Sequence, residues 1–152
     1  RADVMDKVGA FKGGVVHGGT YTANLIALSA AHATLDILNH TDALATINRV
    51  GEQIMQVLGR VFAHADVPCC FAGPPAMFGV HFGEHVPSNY RDWRVTDSTL
   101  YAAFAWGLIE RGVMLEPDSR EPWFICEAHQ HMDLAWLEDV ATQAIQAAKA
   151  QR

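Results

Sequence analysis

His17-Gly18-Gly19-Thr20 is the segment whose residue types most plainly suit a chemical task. Two adjacent glycines leave successive backbone N–H groups unshielded, a threonine hydroxyl follows, and a helix is predicted to begin near Thr22. Amides, a hydroxyl and a helix N-terminus together suit an anion such as phosphate. The same residues more often form a flexible loop leading into a helix cap. A third chemistry, the His-Gly-Gly oxyanion loop of lipases, needs a Gly-x-Ser-x-Gly nucleophile elbow. None of Ser29, Ser88, Ser98 or Ser119 sits in one, so that reading is rejected.

Two histidine patterns suggest a metal and lose it on local grounds. His81-Phe82-Gly83-Glu84-His85 matches H-x-x-E-H literally, but that chemistry places both histidines on one helical face. Here His81 ends a predicted strand, Gly83 interrupts and Pro87 follows closely, so the match is a chance one. Glu127, His129, His131 and Asp133 alternate, and an extended segment would turn them the same way. Asp133 is also a good helix cap, and a polar helix entry is the commoner origin of such a run. No metal site is expected. Trp93, Trp106, Trp123 and Trp136 are scattered, as core or interface residues are, and form no stacking platform.

These residues need elements to hold them. Gly9, Gly13, Gly14, Gly18 and Gly19 mark residues 1 to 20 as a loop. Thr22 to Leu38 is apolar around most of its circumference and reads as a buried helix. Thr41 can cap a second helix running to about His64, with Leu44, Ile47, Val50, Ile54, Leu58 and Val61 as its core stripe. Val67 to Phe71 and Ala76 to Phe82 read as strands around the Gly73-Pro74-Pro75 turn, and Glu84 to Trp93 as a loop. Asp97 caps a third helix that buries Leu100, Ala103, Phe104, Gly107 and Leu108 and stops at Gly112. Val113 to Leu115 and Trp123 to Cys126 are short strand candidates. Asp133 opens the last helix, with Leu137, Val140, Ala141, Ala144, Ile145 and Ala148 inward. The sum is a small α+β domain preceded by a glycine loop and a long helix.

Composition narrows the partners. Half of the 152 residues are hydrophobic and 18% are charged, enough for one globular core and unlike a disordered chain. The net charge is -6, and Lys7, Lys12 and Lys149 are the only lysines, so a nucleic-acid partner is not expected. Tyr21 to Thr34 is too short to span a bilayer. Three cysteines without a framework suit a reducing cytoplasm. The opening Arg1-Ala2-Asp3 is neither a start methionine nor a signal peptide, which suggests a fragment.

The run from Gly18 to Asn24, followed by an alanine- and leucine-rich helix, resembles a segment of the class III pyridoxal-phosphate (PLP) aminotransferases, Gly-Thr-aromatic-x-Gly-Asn-Pro. Asp97 to Glu110 with Arg111-Gly112-Val113, then Leu115-Glu116-Pro117, Glu121-Pro122-Trp123-Phe124, Ala128-His129 and Asp133-Leu134 follow in turn. Their order and spacing are similar to the C-terminal domain of the glutamate-1-semialdehyde aminomutase branch of that family. Arg1 to Met5 is similar to the family's segment between its lysine strand and phosphate loop. The resemblance implies a fold-type I PLP-dependent transferase. Residues 1–38 would end its α/β large domain, with the phosphate loop and an inter-domain helix, and 39–152 would form the C-terminal small α+β domain.

The implied full-length activity is amino-group transfer on an amino acid or amino-aldehyde, in a cytoplasmic homodimer with shared active sites. Gly19 and Thr20 would hold the phosphate of PLP bound to the neighbouring subunit. The Schiff-base lysine lies in the family upstream of the position of Arg1, and Lys7 and Lys12 do not match it. No catalytic residue is therefore expected in this chain, and the isolated fragment is expected to be inactive. Ala23-Asn24-Leu25 departs from the family's Gly-Asn-Pro. Two rivals stand beside the aminomutase reading. One is an ω- or β-amino acid transaminase, with Arg91, Arg94 or Arg120 as candidate carboxylate partner. The other is a non-catalytic α+β binding or dimerisation module. Glu121 to Phe124 lies where the family's small domain contacts or supports the site, without an assigned role.

Overall fold

The computed structural model describes residues 2–8 and 14–151; Gly9, Lys12 and Gly13 fall outside the described residues. The chain forms two compact units, Arg1–Thr41 and Asp42–Arg152. No helix among the described residues is long and apolar enough to cross a membrane.

The first unit holds the short α1 (Ala2–Met5), a parallel bridge between Val8 and Val15, and α2 (Leu25–His40). α2 starts later than the sequence predicts. Ala23 takes a left-handed φ of 61°, and the Asn24 side chain then accepts the Ala27 N–H at 3.0 Å. The helix ends where the Thr41 N–H and hydroxyl both donate to the Ile37 carbonyl, at 3.0 and 2.7 Å. A buried helix is predicted here, yet no residue of α2 is buried, and Leu25 and Ile26 are 78% and 83% exposed. Its all-round apolar surface is a property of the sequence, and the described part of this unit offers only the four-residue α1 to cover it.

The second unit is built on α3 (Ala43–His64), whose period-3.6 pattern buries Val50, Ile54, Val57, Leu58, Val61 and Phe62. The stripe is displaced from the predicted one at its start: Ala43 is buried and Leu44 is 51% exposed. Asp66, at φ 54°, reverses the chain into β1 (Cys69–Ala72), and Gly73, at φ 102°, turns it into β2 (Met77–Phe82). The strands pair antiparallel from Cys69 opposite Phe82 to Ala72 opposite Gly79. β3 (Trp123–Phe124) adds to the far side of β2, giving the order β1-β2-β3.

The predicted loop from Glu84 to Trp93 contains one helical turn, α4 (Tyr90–Trp93), because Asn89 accepts the N–H groups of Arg91 and Asp92. Asp97 caps α5 (Ser98–Ile109) through the Leu100 N–H at 2.9 Å. The predicted strand Val113–Leu115 is irregular instead. Gly112 is left-handed and the Val113 N–H returns to the Leu108 carbonyl at 3.0 Å, closing the helix end. Val113 and Leu115 pack on the core while Met114 is 98% exposed, so burial alternates as in a strand but without a ladder. A short 3-10 helix (Glu127–His131) leads to α6 (Leu134–Ala150), capped by Asp133 and buried along all six predicted positions.

Close packing sets two glycines of α3 apart. A Cβ at Gly51 would collide with the Pro75 carbonyl in the β1–β2 turn, whereas at Gly59 the nearest atom is a Phe71 ring carbon at 3.9 Å. Gly51→Ala is expected to destabilise the domain by about 1–3 kcal/mol through overpacking. Gly59→Ala should stabilise it by up to about 1 kcal/mol through helix propensity. Urea unfolding of the two variants measures both signs. His81 supplies a second test. It is only 7% exposed, its Nδ1 has no hydrogen-bond partner among the described residues, and burial pushes its pKa below the ordinary 6.5. The unfolded chain therefore takes up a proton that the fold rejects, and stability falls as pH drops below 6.5 toward the lowered value. His81→Gln should lose less melting temperature than the parent between about pH 7 and about pH 5.

Candidate functional site

The glycine loop presents donors and little else. Gly18, Gly19, Thr20 and Tyr21 are all exposed, and a Cβ at Gly18 would meet nothing within 4 Å. The Thr22 N–H donates to the Gly19 carbonyl and the Asn24 N–H to the Tyr21 carbonyl, both at 3.0 Å, which folds residues 19–24 into successive turns. Among the described residues, the amides of Gly18 to Tyr21 and the Thr20 hydroxyl have no hydrogen-bond acceptor. That set of donors matches the acceptor-only oxygens of a phosphate group. One expected contribution changes: α2 begins at Leu25 and Asn24 already serves its first turn, so the helix end stands apart from Thr20.

In the second unit the structure brings together residues that the sequence leaves unassigned. A cleft of about 430 Å³ is lined by Glu116, Asp118, the Glu121–Phe124 segment and His129, over a floor that includes Ile54 and Leu137. Buried Tyr101 sets its rim. The phenol donates to the Glu116 carbonyl at 3.3 Å and accepts the Trp123 indole N–H at 3.0 Å. Burial, more than any neighbour, pushes the Tyr101 pKa up, so the hydroxyl keeps its proton.

A second small network adjoins the cleft at Asp118. The Trp93 indole donates to Ser119 Oγ at 2.9 Å, Tyr90 stacks on Trp93 at 5.2 Å, and the Arg120 guanidinium lies 5.3 Å over the Trp93 ring. Arg120 also grips Asp118, with Nε 3.0 Å from both carboxylate oxygens, and holds that carboxylate below its usual range. Arg91 and Arg94 are exposed and, among the described residues, have no side-chain partner. Of the three candidate arginines, one is committed to a neighbour and two are not. Glu116 and Glu121 likewise have no side-chain hydrogen bond among the described residues.

The histidine motifs come apart in space. His81 belongs to β2, while Glu84 and His85 follow it in a non-helical bend. Glu127, His129 and His131 sit on a 3-10 turn rather than an extended segment, and Asp133 caps α6. Among the described residues no group of three or more His, Cys, Asp or Glu is placed to hold a metal ion. Sequence reasoning missed the cleft because its lining comes from α3, α6 and separate stretches between α5 and α6. The signal available was the spacing of Glu116, Asp118 and Glu121 ahead of Trp123.

No family model matches the chain. It is 32% identical over 149 residues to the glutamate-1-semialdehyde 2,1-aminomutase of Laribacter hongkongensis, covering 95% of this chain and 34% of that protein. The protein of that name from Archaeoglobus fulgidus is 25% identical over 145 residues, again 95% of this chain and 34% of the relative. An omega-transaminase from Sphaerobacter thermophilus superposes with a TM-score of 0.76 at 20% identity, over 95% of this chain and 33% of its own. The PLP-bound FumI protein of Sphingopyxis sp. MTA144 gives 0.71 at 20% identity, over 90% and 30%. The chain thus spans about a third of the length of its curated relatives. By sequence it is a homologue of the C-terminal part of the proteins named glutamate-1-semialdehyde 2,1-aminomutase, and its fold is one found within PLP transaminases.

Proposed function

We propose that this chain is the C-terminal part of a class III, fold-type I PLP enzyme that moves an amino group, as an aminomutase or aminotransferase. In this reading residues 1–38 end the large cofactor-binding domain and 39–152 form the small domain. The observation that carries it is the run of unpaired donors from Gly18 to Tyr21, within a chain related to aminomutases along 95% of its length. Bound PLP supplies the electron sink for the amino-bearing carbon of the substrate. The work of this chain is to hold that group in place. Gly19 lets the backbone come close, and the Thr20 hydroxyl donates to a phosphate oxygen beside the exposed amides.

The complete protein is proposed to be a cytoplasmic homodimer acting on an amino acid or amino-aldehyde, with Thr20 reaching the cofactor of the neighbouring subunit. Support comes from the resemblance, and from α2, whose Leu25, Ile26, Leu28, Leu35 and Ile37 are each more than half exposed. The three free cysteines are in keeping with a reducing compartment. A second reading, ω-amino acid transamination, draws on the omega-transaminase neighbour and on Arg91 and Arg94, two uncommitted guanidinium groups able to take a substrate carboxylate.

The 152-residue chain alone is predicted to catalyse no amino transfer and to bind PLP at no single lysine. Lys149 is tied to the Ala65 carbonyl and Lys7 is exposed in a turn, so neither is enclosed in a pocket that would hold a Schiff base. Borohydride trapping with peptide mapping tests this: stoichiometric labelling of one lysine, with turnover, overturns it. In the complete enzyme, Thr20→Ala removes one hydrogen bond to a charged group, about 1.5–3 kcal/mol, or roughly ten- to a hundredfold in cofactor affinity. The decisive form is complementation. A variant lacking the cofactor-binding lysine is mixed with Thr20→Ala under subunit exchange at limiting cofactor. A shared site regains activity in hybrid dimers. No gain, with hybrids verified, refutes sharing.

A further inference from the structure

We propose that the segment from Met114 to Pro122 is a strap that lifts off the cleft as one unit, latched by the hydroxyls of Tyr101 and Ser119. The inference stands apart from the cofactor reading, since it concerns how the second unit admits a molecule to its cleft. Among the described residues, no backbone–backbone hydrogen bond joins this segment to the chain outside it. Just before it, the Val113 N–H returns to the Leu108 carbonyl; just after it, the Ile125 N–H donates to the Ala76 carbonyl, both at 3.0 Å. The segment is therefore anchored at its two ends and held to the body between them through side chains. Such a segment can open without breaking a helix or a ladder.

Two latches hold it, and each pairs an indole with a hydroxyl. At the ends, the buried Tyr101 phenol donates to the Glu116 carbonyl and accepts the Trp123 indole N–H, so one hydroxyl ties both sides of the strap. At the middle, Ser119 is 3% exposed and its Oγ accepts the Trp93 indole N–H at 2.9 Å. Ser119 thus serves as a peg set in the body, while Arg120 beside it is exposed. The Arg120 guanidinium closes over the same Trp93 ring, and Leu115 adds an apolar contact at the edge of the core.

Between the latches the strap is braced against itself. The Arg120 N–H donates to Asp118 Oδ1 at 2.9 Å, the Glu121 N–H to the Asp118 carbonyl at 3.0 Å, and the Arg120 side chain to the same carboxylate. These bonds travel with the segment, so lifting it keeps the ion pair whole and moves residues 118–121 together. Glu116, Asp118, Glu121 and Pro122 form the strap's side of the cleft, over the buried Ile54 and Leu137. Opening widens the way to that floor, and closing restores both indole–hydroxyl bonds. Tyr101 and Ser119 are in this sense positioning residues for the cleft wall.

The test follows the indole N–H protons of the isotope-labelled 152-residue chain by NMR as they exchange with deuterium, each assigned by a single Trp→Phe variant. Tyr101→Phe removes the end latch and leaves Ser119 in place. The Trp93 indole proton is nevertheless expected to exchange faster, by roughly two- to tenfold, the effect of losing one hydrogen bond. Ser119→Ala should in turn speed the Trp123 indole proton by a similar factor, and this arm decides the matter if Tyr101→Phe fails to fold. Amides inside α3 and α6 should keep their rates in both variants, which separates strap opening from a loss of global stability. An unchanged Trp93 rate in folded Tyr101→Phe overturns the proposal, because the two latches then open separately. So does an acceleration matched by the core amides, or a Trp93 proton that exchanges as fast as free indole in the parent chain.

Discussion

Phe62 meets Phe82 and Phe104 edge-on, with ring centroids 4.9 and 5.1 Å apart, and this triangle is where α3, β2 and α5 must agree. Edge-to-face geometry tolerates little sliding, because the positive ring edge must find the negative face. All three rings are buried, so the contact couples the twist of the sheet to the rotation of both helices. Once Phe82 is placed, β2 alternation puts Phe78 and Val80 on the same inner face, and Phe78 lies against Trp123 at 5.8 Å. The β3 register follows, with Phe78 opposite Trp123. The cleft is thus a consequence of the aromatic core: its Trp123 wall is positioned from inside the fold.

α6 packs on this frame by another device. Gly107 of α5 lets the Ala144 backbone approach, and a Cβ at Gly107 would sit 3.1 Å from that of Ala144. Small residues at one crossing allow large ones elsewhere, and Ile145 and Leu137 fill the space on either side. The exposed ends are tied by longer reaches, such as Arg60 to Glu138 at 2.9 Å and Lys149 to the Ala65 carbonyl. Such surface ties add little stability and mainly fix where α6 ends relative to α3.

Legibility followed the range of the forces involved. The α6 stripe was readable in full because a capped amphipathic helix is specified locally, by Asp133 and a 3.6-residue period. The start of α3 was misread by one position, since Ala43 and Leu44 compete for burial and only the tertiary environment decides. Val113 to Leu115 alternates in burial, which is the strand signal, yet a ladder needs a partner that pattern alone cannot supply. For α2 the hydrophobic circumference was legible and its exposure was not, because pattern alone does not say whether a partner surface is there, and among the described residues none buries it. At the candidate sites the split is similar. Gly19 and Thr20 announce themselves by type and adjacency. The cleft of Glu116, Trp123 and His129 depends on turns that close over distance.

The hydrogen bond from Trp123 to Tyr101 has an optical consequence. An indole whose N–H is held by a buried phenol, and whose ring lines a cleft, emits according to what enters that cleft. Trp106 and Trp136 are 56% and 40% exposed, so iodide or acrylamide reaches them first and suppresses their share of the light. Trp93, under Arg120 and bonded to Ser119, occupies a separate setting outside the cleft. The remaining emission then contains a spectral component belonging to the cleft. The fold thereby carries its own fluorophore for titrating small molecules, with no dye attached.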